Sequence, residues 1–360
     1  ILVANLMLFL SIPAFGVGLI QVYLDRTIST AFYDISAGGD PLLWSHLFWY
    51  FGHPEVYVVI VPAFGVISEV LATSARRSIF GYRSMVYAMA GIGIVAFIVY
   101  GHHMFTSGMS PTLRFVTMLT TMLVAVPTGI KIFNWLKTMH RGSLVYRTHT
   151  LWALGFLVTF TLGGISGMFF PSMAMDTHLH ETYFVVAHFH LVMGISALYG
   201  LFAGVYHWFP KMFQGRMMNK NLGYVHFWIT AIGSYGIFFP MHFVGMAGVP
   251  RRYYQNTAFP MFDELTDVQV LMTTFAIITA SAQLIFAYNF IRSIFYGKRG
   301  PQNPWNATTL EWTTPIERIH GNWPGEIPTV KRWAYDYSKP GHDTDFVPQT
   351  EPLKEGEEEH

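Results

Sequence analysis

The sequence predicts an all-α protein, a polytopic transmembrane helix bundle of about eight spans, and three observations predict it. First, 52% of its 360 residues are hydrophobic and only 12% are charged, against about 25% charged in an ordinary soluble domain. Mean hydropathy is +0.35, which argues against a soluble enzyme and strongly against a disordered chain. Second, apolar runs long enough for a helix to cross hydrocarbon, about 20 residues, fall at 1–24, 46–73, 84–106, 113–138, 149–171, 182–209, 222–247 and 267–295. Third, basic residues concentrate in alternate loops.

Each run is too long for a barrel strand, and open sheet edges do not cross a bilayer, so the runs are helices. Their internal Gly and Pro are tolerated in lipid, where Gly permits close helix contact. The first run starts at Ile1 without a basic flank or a small-residue cleavage site. It therefore does not read as a signal peptide and is expected to begin partway through a larger protein. The second run carries His53, Glu55, Tyr57, Ser68 and Glu69, and the third ends at His102-His103. The fourth holds Thr128 and Lys131, and the sixth holds His188 and His190. The seventh leads to Arg251-Arg252. Residues 1–298 form the expected bundle. Residues 299–360 form a tail whose Trp- and Pro-rich part lies against the inner face and whose acidic end is expected to be disordered.

Orientation follows from the positive-inside rule. One set of loops holds Arg76, Arg77 and Arg83, then Lys137, Arg141 and Arg147, then Lys211, Arg216 and Lys220, then Arg292, Lys298 and Arg299. The opposite set holds only Arg26, Arg114, Arg251 and Arg252. The first set, and with it the tail, is cytoplasmic. A net charge of +1 carries no nucleic-acid footprint. The absence of Cys excludes disulfides, iron–sulfur clusters, thiolate metal sites and attached c-type haem within the chain.

Ionisable groups inside spans are costly, at about 3 kcal/mol each on insertion scales, and mark functional pathways. Glu55 and Lys131 lie deep, and Glu69 lies near an inner end. At 1.5 Å per residue, His53, His102, His103, His188 and His190 all fall in the outer half at roughly one level. Independent core histidines have no reason to share a depth, so they point to a metal or haem site. His188 and His190 are about 200° apart around one helix. They cannot chelate one metal, but they can serve two cofactors on opposite faces. His53 and Tyr57 share a helix face with Ser68. From the cytoplasm, Ser68 with Glu69, then Lys131 with Thr128, then Tyr57, form a ladder of protonatable groups rising to the histidines. Glu55 points away from the His53 face and belongs to another route.

Six motifs in order, Gly52-His-Pro-Glu-Val-Tyr57, Gly101-His-His103, Val126-Pro-Thr-Gly-Ile-Lys131, His180-Glu-Thr-Tyr183, Val186-Ala-His-Phe-His190 and Pro250-Arg-Arg252, resemble the haem–copper oxidases, specifically subunit I of aa3-type cytochrome c oxidase, over residues 1–312. The resemblance implies that His53, His102 and His103 bind the copper (copper B), that His188 is the axial ligand of the high-spin haem a3, and that His190 is one ligand of the low-spin haem a. It makes Tyr57 the tyrosine cross-linked to the copper ligand His53, a source of the fourth electron, with a proton, for O–O cleavage. Lys131, Thr128 and Ser68 match the proton route to Tyr57, with Glu69 at its mouth. Glu55 matches the acid ending a second route, with a pKa raised by burial. Arg251 and Arg252 match a haem-propionate pair and Asp176 a propionate neighbour. His180 and Glu181 fall at a magnesium site. Glu181 stands where Asp is usual, and Glu69 where His is frequent.

The family has about twelve helices and the last eight are seen here. The second low-spin haem ligand and the inlet acid of the Glu55 route are expected elsewhere. The resemblance also implies a proton-pumping terminal oxidase in a bacterial inner (plasma) membrane, reducing O2 to water with subunit II bearing CuA, subunit III, and cytochrome c or another cytochrome as donor, within a respiratory chain or supercomplex. A quinol oxidase of the same superfamily stays open, as does the haem type. Tyr57 and Lys131 argue against a nitric oxide reductase. An ion-coupled transporter predicts an internal repeat that is not visible, and a passive haem carrier leaves His53, His102, His103 and Lys131 unexplained.

Overall fold

The computed structural model describes residues 1–255, 258–317 and 321–357. Helices dominate, and strand pairing among the described residues is confined to isolated bridges such as Thr182 with Pro250. The spans are α1 (Leu2–Thr27), α2 (Pro41–Ala75), α3 (Tyr82–Val95), α4 (Pro111–Leu123) with α5 (Ala125–Met139), α6 (Thr148–Ser166), α8 (Tyr183–Phe189) with α9 (Ser196–Met212), α10 (Lys220–Met246) and α11 (Thr266–Tyr296), with the short α7 (Met173–Leu179) between α6 and α8. Eight segments are long and apolar enough to cross a membrane, at the places the apolar runs predict.

The departures from those runs have local causes. α2 starts five residues before its apolar run because Asp40 caps it, accepting from the Leu42 N–H at 2.8 Å, with Pro41 at the first helical position. The third span is not continuous: α3 ends at Val95, and the chain resumes as a 3-10 turn at Tyr100–Met104 carrying His102 and His103. The fourth span breaks at Val124, because Pro127 lacks the N–H that the Leu123 carbonyl needs. The sixth passes through a π-helical turn at His190–Ile195, a feature that favours functional sites.

The core gathers where α2, α5, α6 and α9 meet, around Phe64, Trp135, Trp152, Phe156 and Tyr199. A Cβ on Gly200 of α9 would lie 2.5 Å from the Ala63 Cβ of α2. Only glycine permits that approach, as small residues do at membrane helix interfaces.

The tail is pinned to the end of the bundle that carries the basic loops. Arg76 holds the Asp345 carboxylate with Nε and Nη2 at 2.7 and 2.6 Å. Arg147 donates to the Pro304 carbonyl at 2.8 Å and Lys211 to that of Thr314 at 2.6 Å. Trp305 Nε1 donates to the His207 carbonyl at 2.7 Å. Glu357 accepts from Arg332 at 2.8 Å and contacts His342 at 2.8 Å, giving the chain a partner that composition does not reveal. Glu358, Glu359 and His360 lie outside the described residues.

Candidate metal centre

Three histidines converge from two elements. His53 of α2 places Nδ1 3.2 Å from His103 Nε2, and His102 places Nε2 3.1 Å from that same atom. Imidazole–metal bonds of about 2.0–2.1 Å, at angles near 100°, separate donor nitrogens by roughly 3.2 Å. The spacing therefore suits one ion. Among the described residues this is the one group of three or more His, Cys, Asp or Glu close enough to share an ion.

The surroundings select the correct nitrogens. Thr121 Oγ1 donates to the Thr117 carbonyl at 2.6 Å, so at 3.1 Å it accepts from the His102 Nδ1–H and leaves Nε2 with its lone pair. His103 stacks on Trp49 at 3.9 Å between ring centroids. A Cβ on Gly101 would meet Thr117 Oγ1 at 2.8 Å, so glycine lets the histidine turn lie against α4. The Tyr57 ring lies 4.8 Å from that of His53, edge to face.

His188 and His190 face opposite ways, as their spacing predicts. His188 Nδ1 donates to the Gly163 carbonyl at 2.9 Å and lies 3.0 Å from Ser166 Oγ on α6. His190 Nδ1 donates to the Val186 carbonyl at 2.9 Å, and its ring stacks on Phe238 of α10. A carbonyl can only accept, so in both rings the proton sits on Nδ1 and Nε2 is free to ligate. This is the supporting bond that metal-bound imidazoles ordinarily make. His53 Nε2 and His242 Nε2 are among the buried nitrogens without a partner. The donor set fits an imidazole-bound copper and imidazole-bound haem iron.

The lower ladder is partly assembled. Lys131 is 1% exposed, with Nζ 5.2 Å from the Phe64 ring and 5.1 Å from that of Trp135. Trp135 Nε1 donates to Ser68 Oγ at 2.9 Å, and Ser68 Oγ donates to the Phe64 carbonyl at 2.7 Å. Thr128 is half-buried, one turn before Lys131. Glu69 is capped from the tail by the Tyr335 hydroxyl. Burial, together with Glu69, holds that hydroxyl far above the usual phenol range, so Tyr335 is the donor. Neither Trp135 nor Tyr335 was anticipated. Trp135 could have been found as the i+4 neighbour of Lys131, whereas no sequence signal marks Tyr335.

Glu55 is exposed on a flank of α2. Glu181 is engaged by an arginine. Arg251 Nε and Nη2 donate to its two oxygens at 2.8 and 2.6 Å, and this pairing holds its carboxyl below the usual range. His180 Nε2 reaches Glu181 only at 3.9 Å, while its Nδ1 lies 3.1 Å from the buried Asp176. Arg252 is largely exposed.

A multi-pass membrane bundle with a three-imidazole cluster and two back-to-back histidines on one helix suits a metal-binding protein of the bilayer. The chain belongs to the family described as cytochrome c and quinol oxidase polypeptide I, whose model matches residues 1–278. Membership implies haem and copper. An alternative cytochrome c oxidase subunit 1 of Bradyrhizobium diazoefficiens is 45% identical over 369 residues, covering 99% of this chain and 62% of that protein. The cytochrome c oxidase subunit 1 of Synechocystis sp. is 42% identical, covering 98% of this chain and 62% of its own length. The chain thus spans somewhat under two-thirds of these relatives. A haem–copper terminal oxidase dimer solved by cryo-EM shares the fold, with a TM-score of 0.67 at 23% identity over 83% of this chain and 57% of that one.

Proposed function

We propose that the chain is the catalytic subunit of a terminal respiratory oxidase that reduces O2 to water and couples this to proton pumping. The observation that carries the reading is the convergence of His53 Nδ1 and His102 Nε2 on His103 Nε2, at 3.2 and 3.1 Å. Copper would sit on those three nitrogens, a high-spin haem (a3) on His188 and a low-spin haem (a) on His190. Bound there, they supply one-electron chemistry and an open position for O2.

The chain's own residues hold protons. Tyr57 offers a phenol beside His53. Lys131 sits between two aromatic faces and the Ser68–Trp135 pair, poised to pass protons from Glu69 through Thr128 to Tyr57. Glu55, on the exposed flank of α2, is assigned to the second route. Arg251 and Arg252 would meet haem propionates, with Asp176 and His180 beside them. Magnesium is the weaker assignment, because Glu181 already has both oxygens on Arg251. The donor is cytochrome c, supported by relatives of that description at 42–45% identity. Further subunits, including a CuA-bearing subunit II and a subunit III, complete the complex. It lies in a bacterial inner membrane with the tail cytoplasmic, in keeping with the basic loops on the tail side.

The test is oxygen consumption by the purified complex with reduced cytochrome c. Cyanide-sensitive uptake at four electrons per O2 supports the reading. A complex that retains its haem but reduces no O2 with either cytochrome c or quinol overturns it.

A further inference from the structure

On the tail side, away from the histidines, a cavity of about 140 Å³ lies between the end of α2, the start of α6 and the tail. Its walls include Ser74, Arg76, Arg147, His149, Asn306 and Asp345. We propose that it binds a small phosphate-type oxyanion.

The charges facing it do not balance. Arg76 is spent: it grips Asp345 with two nitrogens, and its Nη1 donates to the Trp305 and Asn306 carbonyls at 3.0 Å each. Arg147 has no carboxylate partner among the described residues. It gives one hydrogen bond, to the Pro304 carbonyl, and lies over Trp305 at 4.7 Å. Burial, and then the neighbouring Arg76, push its pKa below the ordinary value. With Arg76 and Asp345 cancelling, the cavity keeps one positive charge and unspent guanidinium N–H groups.

Two further features point inward. α6 begins at this wall with no side-chain cap, since Arg147 holds the cap position without capping. The first-turn N–H groups of a helix have no intrahelical acceptor, and the helix dipole there favours an anion. His149 is only 2% exposed and lines the cavity. Its ring meets His207 and Trp305 edge to face. A buried imidazole, an uncapped helix start and an unpaired guanidinium converge on a space well above that of one water. A planar, multi-donor guanidinium suits phosphate oxygens in particular.

The chemistry is shared by free phosphate and by a phospholipid headgroup, both available at the inner face. Equilibrium dialysis of the assembled, detergent-purified complex against radiolabelled inorganic phosphate tests the proposal. Saturable binding is expected, displaced by sulfate and weakened about tenfold or more in Arg147→Gln, with Arg147→Lys intermediate. Displacement by dihexanoyl phosphatidate at lower concentration than phosphate assigns the site to a lipid headgroup. Weaker displacement assigns it to the free ion. Absence of saturable binding, or Arg147→Gln binding like the parent, overturns the site. If the variant does not assemble, phenylglyoxal labelling of Arg147 in the parent complex replaces it: phosphate must slow the labelling, and unchanged labelling overturns the proposal.

Discussion

Gly167 isolates the role given to His188. A Cβ there would lie 2.7 Å from His188 Cε1 and 3.4 Å from its Nδ1. The backbone itself accepts alanine, since Gly167 closes α6 with φ −68°. Ordinary contact begins near 3.4 Å, so the imidazole must withdraw by about 0.7 Å. That would stretch the 2.9 Å bond to the Gly163 carbonyl to about 3.6 Å, beyond hydrogen-bond range. Overpacking of this kind costs about 1–3 kcal/mol, and it falls on one ligand. In Gly167→Ala the fraction of high-spin haem that binds carbon monoxide should drop, while the low-spin band assigned to His190 stays as an internal reference. Gly164→Ala is the control, because a methyl there meets nothing within 4 Å. Unchanged carbon monoxide binding in Gly167→Ala, in a complex with a full complement of haem, would refute the assignment of His188.

Lys131→Met should leave haem content and thermal stability unchanged or improved, because it removes a charge from a site that is 1% exposed. Turnover, read with an oxygen electrode, should fall by about 10²-fold or more if Lys131 moves protons. Tyr335→Phe removes the donor to Glu69 and should alter the pH profile of turnover and loosen residues 330–350 in hydrogen exchange. An unchanged profile and unchanged exchange would count against Tyr335 capping the mouth. The tail should stay docked at neutral pH and release in acid. Glu357 is held at about 2, by the Lys354 backbone N–H and then Arg332 and His342, below its ordinary 4.5. Asp345 is lowered from 3.8 by its hydrogen bond with Arg76. Both are depressed, so their contribution is complete above pH 4.5 and disappears as pH falls toward 2. Limited proteolysis of the tail between pH 7 and 3 reads this, and protection that rises in acid would contradict it.

The spans and the histidine layer were legible because hydrocarbon imposes both a length and a cost on charge, and each leaves a mark in the order of residues. The opposed faces of His188 and His190 followed from helical pitch alone. Breaks within spans were less visible. The run through Val95 to His103 stays apolar whether or not the helix continues, and Pro127 marks the fourth break only once the unpaired Leu123 carbonyl is considered. The groups that set the histidine tautomers, Thr121, Gly163 and Ser166, lie on neighbouring helices and leave no periodic trace beside the ligands. The docking of the tail leaves no mark for a related reason. Asp345 finds Arg76 across 269 positions, a distance over which composition carries no information. Glu55 lies on an exposed flank of α2, and its cover cannot be read from its own helix.

The most direct test of the central claim is a metal count joined to a carbon monoxide difference spectrum on the purified complex, parent against His102→Ala. In the parent, the account predicts one copper per chain, a low-spin haem and a second haem that binds carbon monoxide. In the variant, copper should be lost while both haem bands remain. Full copper retention in His102→Ala, or a folded, fully assembled parent without haem, would contradict it.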